Sequence, residues 1–490
     1  MNEHIFHIEF DSGRTLQEQI REYLVNLILS GKLSSNDPLP SSRNLSQMLG
    51  VSRNTIILIY ESLVDSGYIE SRSRRGYFVS DNFLKPEVLE SQNLEDSVFL
   101  PDWSSRFIRQ SSNKRNIVKP SNWQDFEYPF IYGQIQKDVF PIDLWRDSVR
   151  KSMSGHWNKY WINDMVDSDD PMLIDQIRTR ILPRRGIYAE PQEILFTLGT
   201  QNSLYLLANL LCNNRSNVTI EDPGFRDAVN IFSLFDSNIH YQPVDSSGIL
   251  VDDNLKKSDY LYITPSSQVP TGAELIEERR HALLKMADEN DFIIIEDDYD
   301  SEISTRENPL PSLKALDKSN RVIYIGSMSK SISPGLRMGY MVADEQLIKE
   351  VRSLRKLMYR HPPMNNQRYL ALFLSLGHYD AYLKKLRVIY SKKESVMIES
   401  IDKYLPESFA GDHSRKGVTS FWLTANENVC TEELSQEAAK NSILIEPGAV
   451  HFSTPNPPSH LFRLGFSAID MNKIEPGIKA LSKVIDQFGK

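Results

Sequence analysis

A lysine lies among small and phosphate-binding residue types in the segment YIGSMSKSISPGLRMGY, residues 324–340. Ser327 and Arg337 supply a hydroxyl and a guanidinium, which are donors that suit a bound phosphate. Lys330 stands between them, and a lysine beside a phosphate site can form a Schiff base with an aldehyde. A lone lysine after a strand is usually a solvated surface residue, so this interpretation depends on the neighbouring motifs.

The segment IIIEDDYDSE, residues 293–302, places acidic side chains after an apolar run. The run predicts a buried strand, and acids directly at its end are expected at the edge of a pocket. An aspartate there could keep a pyridine nitrogen protonated, and a tyrosine two residues later could bond a phenolic oxygen. A solvent-exposed acidic strand end would explain some of these acids but not the whole arrangement. The two motifs together indicate a pyridoxal 5'-phosphate site.

A third motif, TLGTQNSLYLLANLL at residues 197–211, predicts a strand, a glycine turn and a helix with Leu204, Leu207 and Leu211 inward. The free N–H groups at the start of such a helix form a natural seat for a phosphate. A single glycine turn is weak evidence, and it gains weight only from the other two motifs.

These motifs need a sheet to position them, and the chain from about residue 125 onward supplies the pattern. Strand-like apolar runs alternate there with longer helical patterns, which predicts an α/β domain with a largely parallel sheet. The runs are Ile194–Leu198, Val218–Ile220, Tyr260–Thr264, Phe292–Ile295 and Val322–Ile325.

The first 80 residues have a different organisation, made of short helical patterns. The first helix has a stripe of apolar residues and is expected to end at Gly31. Ser41 or Ser42 can cap a second helix, which is followed by a turn at Gly50. The expected apolar positions of these two helices are Leu16, Ile20, Leu24, Leu27, Ile28, Leu45, Met48 and Leu49.

Ser52 can cap a third helix, which Gly67 ends. Its expected buried side chains are Ile56, Ile59, Tyr60 and Leu63. Two short helices joined by a glycine turn form a helix-turn-helix, whose second helix presents its N-terminal side chains Arg53, Asn54 and Thr55 to a DNA major groove. Tyr68–Glu70 and Tyr77–Val79 can pair as strands around a basic wing at Arg72–Gly76. Any three-helix domain could show this spacing, which is the alternative.

The charge distribution favours this division. The chain carries a net charge of −9, whereas residues 12–80 hold eight Lys/Arg and six Asp/Glu. A basic module on an acidic protein is typical of a tethered DNA reader. We predict a DNA-binding domain at 12–80, a linker at 81–120, where no periodicity is sustained, and an effector domain at 121–490.

The remaining composition points to the cytoplasm. We find no apolar run long enough to span a membrane and no secretory pattern at the N-terminus. The two cysteines, Cys212 and Cys430, are far apart, which favours reduced thiols over a disulfide or a metal site. No metal site is expected.

The segment LPSSRNLSQMLGVSRNTIILIYESLVDSGYIESRSRRGYFV, residues 39–79, resembles the winged helix-turn-helix of the GntR regulators. The resemblance implies DNA contacts by Arg43, Arg53, Thr55, Arg74 and Gly76. Arg53 would read a guanine edge, which is worth about 1–3 kcal/mol of discrimination. Arg43 and the wing would hold phosphates, so binding would depend on salt.

The three C-terminal motifs, together with EDPGF (221–225), TPSSQVPTG (264–272) and FRLGFS (462–467), resemble fold-type I aminotransferases, which end in a small α+β subdomain. The combination with a GntR head resembles the MocR subfamily of regulators over nearly the whole chain. This implies that Lys330 forms the Schiff base, Asp297 pairs with the pyridine nitrogen, Tyr299 bonds the phenolic oxygen and Phe225 stacks on the ring. The implied phosphate ligands are Gly199, Thr200, Gln201, Ser327 and Arg337.

Arg463 matches the arginine that grips a substrate carboxylate in these enzymes, and a guanidinium fits a carboxylate bidentately. Its alternative is a surface salt bridge. The chain departs from the regulators at Ser267 and at Gly417–Val418–Thr419, where they often carry His and Gly-Leu-His, and at DSDDP, 167–171. We expect these positions around the pocket entrance, where they would affect ligand identity.

The resulting hypothesis is a cytoplasmic transcriptional regulator that binds a double-stranded DNA operator as a head-to-tail homodimer. It would sense a small amino compound through external aldimine formation at the cofactor on Lys330, with an acid group on Arg463. Two alternatives stay open. One is an active aminotransferase with a secondary head, and the other is a regulator that senses the cofactor itself. Catalysis is not expected as the primary role, although residual transaminase activity is left open.

Overall fold

The structure is a computed structural model that describes residues 6, 8, 10–33, 38–80, 101–306, 309–406, 409 and 419–488. The chain separates into two compact units, residues 1–107 and 108–490. Of the predicted linker, residues 81–100 lie outside the described part of the chain, and residues from 108 onward are grouped with the second unit.

The first unit contains three helices and a hairpin. The helices are α1 (Leu16–Leu29), α2 (Ser42–Leu49) and α3 (Arg53–Asp65). The hairpin is β1 (Ile69–Arg72) paired antiparallel with β2 (Gly76–Val79). Ser41 caps α2 through the amide of Asn44, and Ser52 caps α3 through the amide of Thr55. Side-chain oxygens at these positions satisfy amides that the helix itself cannot pair.

The core of this unit follows the predicted stripes with two corrections. Leu16 is 44% exposed and Met48 is 37% exposed, whereas Leu45 and Leu49 are buried. Leu16 is the first residue of α1, where the helix end faces solvent. Met48 lies beside the Leu45–Leu49 pair, which is spaced by one helical turn and so takes the centre of the buried face.

The second unit is built around an eight-stranded sheet in the order β4-β11-β10-β9-β8-β5-β6-β7. Its strands are β4 (Ile194–Thr197), β5 (Asn217–Asp222), β6 (Asn238–Asp245), β7 (Gly248–Ile249), β8 (Tyr260–Ile263), β9 (Ile293–Asp298), β10 (Val322–Ser327) and β11 (Gly339–Val342); a short β3 (Tyr128–Pro129) precedes them. The pairs among β10, β9, β8, β5 and β6 are parallel. The predicted, mostly parallel α/β sheet is confirmed.

Helices flank this sheet, as the alternating pattern predicts. They are α4 (Ile142–Ser152), α5 (Lys159–Ile162), α6 (Pro171–Gln176), α7 (Thr200–Leu211), α8 (Arg226–Ser233), α9 (Glu277–Asn290), α10 (Leu313–Leu316), α11 (Glu345–Tyr359), α12 (Met364–Ser375) and α13 (His378–Tyr404). Leu204 and Leu207 on α7 are fully buried, and Leu211 is half-buried.

A smaller α+β part follows. Three strands, β12 (Ser420–Thr424), β15 (Leu461–Gly465) and β14 (Glu446–Pro447), form an antiparallel sheet in that spatial order. β13 (Ile443–Leu444) pairs instead with β3. The helices are α14 (Thr431–Lys440) and α15 (Met471–Phe488). This arrangement agrees with the α+β subdomain expected at the C-terminus.

The acidic motif was expected directly at the end of an apolar strand run, and β9 extends through it to Asp298. Its backbone pairs with β8 as far as Glu296 and with β10 as far as Asp298. Glu296, Asp297 and Asp298 are therefore strand residues, and all are buried. Successive side chains of a strand point to opposite faces, so Asp297 lies on the other face from its two neighbours.

In the described part of the chain, no helix has the length and apolar character needed to cross a membrane.

Candidate functional site

The second unit contains a cavity of about 260 Å³ at the carboxyl ends of its strands. Strand β4 runs in the same direction as β10, because both are antiparallel to β11. The loops after β4, β5, β9 and β10 therefore meet at one edge, where open α/β sheets bind ligands. Predicted residues that line the cavity are Thr200, Gln201, Phe225, Asp297, Tyr299, Ser327, Lys330, Arg337 and Arg463.

Lys330 lies in the loop after β10, with its amine 3.8 Å from the ring centroid of Tyr132. Burial, followed by the positive charge of Lys119, lowers the pKa of Lys330 to about 7, although Asp300 opposes this shift. Near neutral pH a substantial fraction of this amine is therefore unprotonated, which is the form that attacks a carbonyl.

Asp297 accepts a hydrogen bond of 2.8 Å from the Tyr262 hydroxyl and one of 3.3 Å from the Thr200 hydroxyl. Burial raises the pKa of Asp297 to about 7, although these two hydrogen bonds oppose the shift. A buried carboxylate becomes favourable once a cationic partner lies beside it. Asp297 is thus suited to a protonated ring nitrogen.

The two neighbours of Asp297 have structural partners instead. Glu296 accepts the amides of Leu313 at 2.8 Å and Lys314 at 2.9 Å. Asp298 forms a buried ion pair of 2.7 Å with Arg185. The acidic motif is therefore not a solvent-exposed strand end, and of these three acids only Asp297 lines the cavity.

The start of α7 and the loop after β10 form the end of the cavity suited to a phosphate. Gly199 precedes α7 with φ +94°, and a Cβ there would lie 3.1 Å from Nη2 of Arg337. Ser327 and Ser329 also line this region. Hydroxyls, a guanidinium and helix amides together form an anion-binding donor set.

Two predicted phosphate ligands make other side-chain contacts here. The Thr200 hydroxyl reaches Asp297, and the Gln201 amide donates to Asp227 at 2.5 Å. Thr200 and Gln201 begin α7, and a helix cannot pair the first amides of its own backbone. Their backbone groups fit an anion better than their side chains do.

Tyr299 and Phe225 are the aromatic residues predicted for the cofactor ring. The Tyr299 hydroxyl donates to the Ser267 carbonyl at 2.7 Å. Phe225 stands directly before α8. Both line the cavity, Tyr299 on the loop after β9 and Phe225 on the loop after β5.

Arg463, on β15, lies at the other end of the cavity. Its Nε donates to Glu446 at 3.1 Å, and its guanidinium carbon lies 4.2 Å from the ring centroid of Tyr132. The residue is 3% exposed and its ion pair with Glu446 is buried, so the alternative of a salt bridge is wrong in its surface location only. Within the described part of the chain, Nη1 and Nη2 make no hydrogen bond.

Sequence reasoning missed three residues at this end of the cavity. Tyr132 lies against both Lys330 and Arg463, and its hydroxyl donates to Asp300 at 3.3 Å. Lys119 also lines the cavity. Asp300 belongs to a motif that was recognised, whereas nothing in the local sequence marks Tyr132 or Lys119.

Of the positions where the sequence departs from the regulators, some lie beside the cavity and others lie away from it. Thr419 donates to Asp300 at 3.2 Å, beside the cavity, whereas Gly417 and Val418 lie outside the described residues. Asp169 and Asp170 were expected at the pocket entrance, which is wrong. They form buried ion pairs, Asp169 with arginines of α11 and Asp170 with an arginine of α12, because folding holds such acids inside only when they are paired.

The first unit presents the predicted DNA-contacting side chains at its surface. Arg43, Arg53, Arg74 and Gly76 are exposed, and Thr55 is half-buried. Arg53 stands at the start of α3, and its Nε donates to Ser42 at 3.4 Å. The wing turn has φ +61° at Arg74 and +101° at Gly76.

Comparison with known families gives two matches, one in each unit. Residues 16–79 match the family described as bacterial regulatory proteins, gntR family. Residues 162–481 match aminotransferase class I and II.

Two relatives are similar over almost their whole length. The HTH-type transcriptional regulator TauR of Rhodobacter capsulatus is 36% identical over 472 residues, which cover 96% of each protein. The probable rhizopine catabolism regulatory protein MocR of Rhizobium meliloti is 29% identical over 97% of this chain and 94% of its own.

Among solved structures, the kynurenine aminotransferase of Pyrococcus horikoshii superposes with a TM-score of 0.71 at 24% identity. The match covers 79% of this chain and 98% of that one. At this identity the likeness establishes the fold of the second unit alone.

Proposed function

Because the chain belongs to the MocR-type transcriptional regulators, which join a GntR helix-turn-helix domain to an aminotransferase class I and II domain, we propose that it is a sensor of small amino acids. In this proposal an effector with an amino group and an acid group binds between Lys330 and Arg463. Its binding changes the affinity of the helix-turn-helix domain for DNA.

The aminotransferase fold implies pyridoxal 5'-phosphate, and the donor set of the cavity fits it. Lys330 would hold the aldehyde carbon, Asp297 the ring nitrogen, Tyr299 the phenolic oxygen and Phe225 a ring face. The phosphate would take Gly199, Thr200, Gln201, Ser327 and Arg337. When bound, the cofactor supplies an electrophilic carbon that primary amines capture reversibly.

A single observation carries the proposal for the effector. The amine of Lys330 and the guanidinium of Arg463 lie 3.8 Å and 4.2 Å from the centroid of one aromatic ring, that of Tyr132. An amine-exchanging group and an acid-binding group are therefore neighbours within one cavity. A carboxylate or a sulfonate suits the two terminal guanidinium nitrogens of Arg463.

The chain's own residues prepare both ends of this site. Lys330 is deprotonated readily because its pKa is lowered to about 7, so it can release and retake a proton near neutral pH. Glu446 orients Arg463 through Nε, which leaves the two terminal nitrogens for the effector. The buried ring of Tyr132 lies against both groups.

The DNA side of the proposal rests on the exposed N-terminal end of α3. Arg53 and Thr55 would read bases in the major groove, while Arg43, Arg74 and Gly76 would contact the backbone. A head-to-tail homodimer would present two such helices to two half-sites. An effector shifts this binding only by its different affinity for two protein states, typically by about 1–3 kcal/mol.

The visible absorption spectrum tests the cofactor part. Wild-type protein incubated with pyridoxal 5'-phosphate should show a yellow band that borohydride removes and that Lys330→Ala lacks. Lys285→Ala is the matched control, because Lys285 is 76% exposed on α9 and pairs with Glu289 at the surface. A colourless wild type, or a band that survives in Lys330→Ala, would contradict the assignment.

The effector part needs a second measurement. DNA selected in vitro by the wild-type protein is titrated in the presence of amino carboxylates and amino sulfonates of increasing length. We expect an active compound to change the cofactor spectrum and the DNA affinity together. Release of a keto or aldehyde product would favour the aminotransferase alternative, and a DNA response to the cofactor alone would favour the cofactor sensor.

A further inference from the structure

The segment 114–119, here called the linker strap, lies at the end of the predicted linker and is held against the second unit. The Arg115 guanidinium donates to the Ala449 carbonyl at 3.0 Å. The side chain of Asn230, on α8, donates to the Arg115 carbonyl at 2.8 Å and to Asn116 at 2.9 Å. These contacts on both sides fix the backbone immediately before Ile117.

The end of the strap enters the cavity, since both Ile117 and Lys119 line it. The Lys119 amine donates to the Tyr132 carbonyl and lies 3.9 Å from Oε1 of Glu446. A residue of the connection to the DNA-binding unit is thus part of the same cavity as Lys330.

Two cations lie against the single carboxylate of Glu446, whereas Asp300 accepts from Tyr132 and acts on Lys330. Glu446 is shared by two cations, since Arg463 reaches its Oε2 at 3.1 Å and Lys119 lies near its Oε1. Within the described residues Oε1 is buried and makes no hydrogen bond. Burial lowers the pKa of Lys119, and Glu446 opposes this shift only in part because Arg463 lies at the same carboxylate, so a further anion would stabilise the charged form of Lys119.

We propose that Lys119 is a specificity-determining residue of the effector site, which binds the acid group of the effector together with Arg463. The inference rests on the proposed function and adds a second cation, Lys119, to the effector site. Because both cations contact the same carboxylate of Glu446, both are within reach of one additional anion. Since Lys119 belongs to the linker strap, an effector held by both cations adds a further contact between the strap and the second unit.

A probe without an amine tests this assignment before any effector is known. Methanesulfonate is titrated against full-length protein loaded with pyridoxal 5'-phosphate, and the pH titration of the cofactor-bound Lys330 nitrogen is followed by absorbance. Lys119 is one of the charges that lower the pKa of the free Lys330 amine. The same positive charge acts on this nitrogen when the cofactor is bound, so an anion that neutralises Lys119 should raise the pKa of the cofactor-bound nitrogen. This readout requires no turnover.

Three variants separate charge from placement. In Lys119→Met we expect methanesulfonate to bind about tenfold more weakly, as for a lost charged hydrogen bond, while Lys119→Arg restores binding to within about threefold. Lys114→Met is the matched control, because Lys114 anchors the same strap to Ser233 at 3.0 Å without lining the cavity. Thermal unfolding checks that each variant is folded.

Limited trypsin digestion tests the strap itself. Arg115 is exposed, and trypsin cannot cut after Lys119 because Pro120 follows it. We expect methanesulfonate to slow cleavage after Arg115 severalfold in wild type and not in Lys119→Met.

The outcomes separate the two proposals. If methanesulfonate binds Lys119→Met as it binds wild type, or if Lys114→Met is weakened equally, the role of Lys119 is wrong while the proposed function stands. If methanesulfonate leaves the rate of cleavage after Arg115 unchanged in wild type, the proposed contact between the bound anion and the strap is wrong. If wild type takes up no cofactor on Lys330, the proposed function fails and this inference fails with it.

Discussion

At the residue scale, Lys330 and Asp297 show how burial prepares a site for a ligand. Burial lowers the pKa of the lysine and raises that of the aspartate, each to about 7. Both shifts favour the neutral forms, and both would be reversed by a partner of opposite charge. The two residues are thus prepared for a cofactor that brings an aldehyde and a basic ring nitrogen.

The carboxylate of Asp297 leads to the first prediction. Asp297→Asn should weaken binding of pyridoxal 5'-phosphate by about 3 kcal/mol, or roughly a hundredfold in Kd, because a buried ion pair loses one charge. Absorbance titration measures the Kd. Asp291→Asn is the control, since Asp291 is 91% exposed and pairs with Arg321. Equal affinity for Asp297→Asn and wild type would contradict a ring-nitrogen contact.

The pH dependence of cofactor uptake leads to the second prediction. Only the unprotonated lysine attacks an aldehyde, and the folded-state pKa of Lys330 lies below its ordinary value. The rate should therefore rise as pH increases through about 7 and level off above about pH 8. The charged groups that set this pKa besides burial are Lys119, Asp300, Arg463 and Glu446. A rate that keeps rising to pH 10, measured by stopped-flow absorbance, would indicate an ordinary lysine.

At the element scale, the β4–α7 turn shows why a glycine is required. Gly199 has φ +94° and ψ 178°, a conformation that is almost restricted to glycine. Its missing side chain also leaves space for Arg337, whose Nη2 would lie 3.1 Å from a Cβ. The backbone conformation and the side-chain position of the phosphate end are therefore coupled.

The third prediction follows from this coupling. Gly199→Ala should lower the free energy of unfolding by about 1–3 kcal/mol through backbone strain, and it should also weaken cofactor binding by displacing Arg337. Gly155→Ala is the matched control, because a Cβ there meets nothing within 4 Å and its φ is not positive. Thermal unfolding and cofactor titration measure the two effects. A variant as stable as wild type would contradict the strain.

The start of α3 leads to the fourth prediction. Arg53→Ala should cost about 1–3 kcal/mol of binding to a selected operator and relax specificity at one base pair, whereas Arg74→Ala should weaken all sequences alike and lower the salt slope by about one unit. Arg146→Ala, on α4, is the control, since Arg146 is 68% exposed in the second unit. Binding curves at several salt concentrations distinguish the cases. If Arg53→Ala weakens binding to all DNA sequences equally, Arg53 contacts a phosphate and not a base.

At the scale of the whole molecule, the proposal requires thermodynamic coupling between two units. If an effector changes operator affinity by a given factor, the operator must change effector affinity by the same factor. The coupling should amount to about 5–150-fold.

Measuring both directions is the fifth prediction. Effector affinity is determined by the cofactor spectrum with and without saturating operator, and operator affinity with and without saturating effector. Equal factors are expected. An effector that binds Lys330 without any change in either affinity would show that the second unit does not regulate the first.

Much of the fold could be predicted because it follows from local patterns. Apolar stripes, capping serines and apolar runs depend on residues close in sequence. The helices α1, α2 and α3 and the alternation of strands and helices in the second unit could therefore be predicted. The differences lie where local rules meet tertiary context: Leu16 faces solvent at a helix end, and β9 extends through its acids because β10 pairs with it as far as Asp298.

By itself, the sequence determined the two-part organisation, the α/β class and the motif residues such as Lys330 and Asp297. Their chemistry is encoded in short segments whose residue types suffice to recognise them. Only the tertiary structure decided that Tyr132 and Lys119 join them, that Glu446 shares two cations, and that Asp169 and Asp170 are structural. These facts depend on contacts between segments far apart in the chain, where burial and charge pairing act through space and leave no mark on the local sequence.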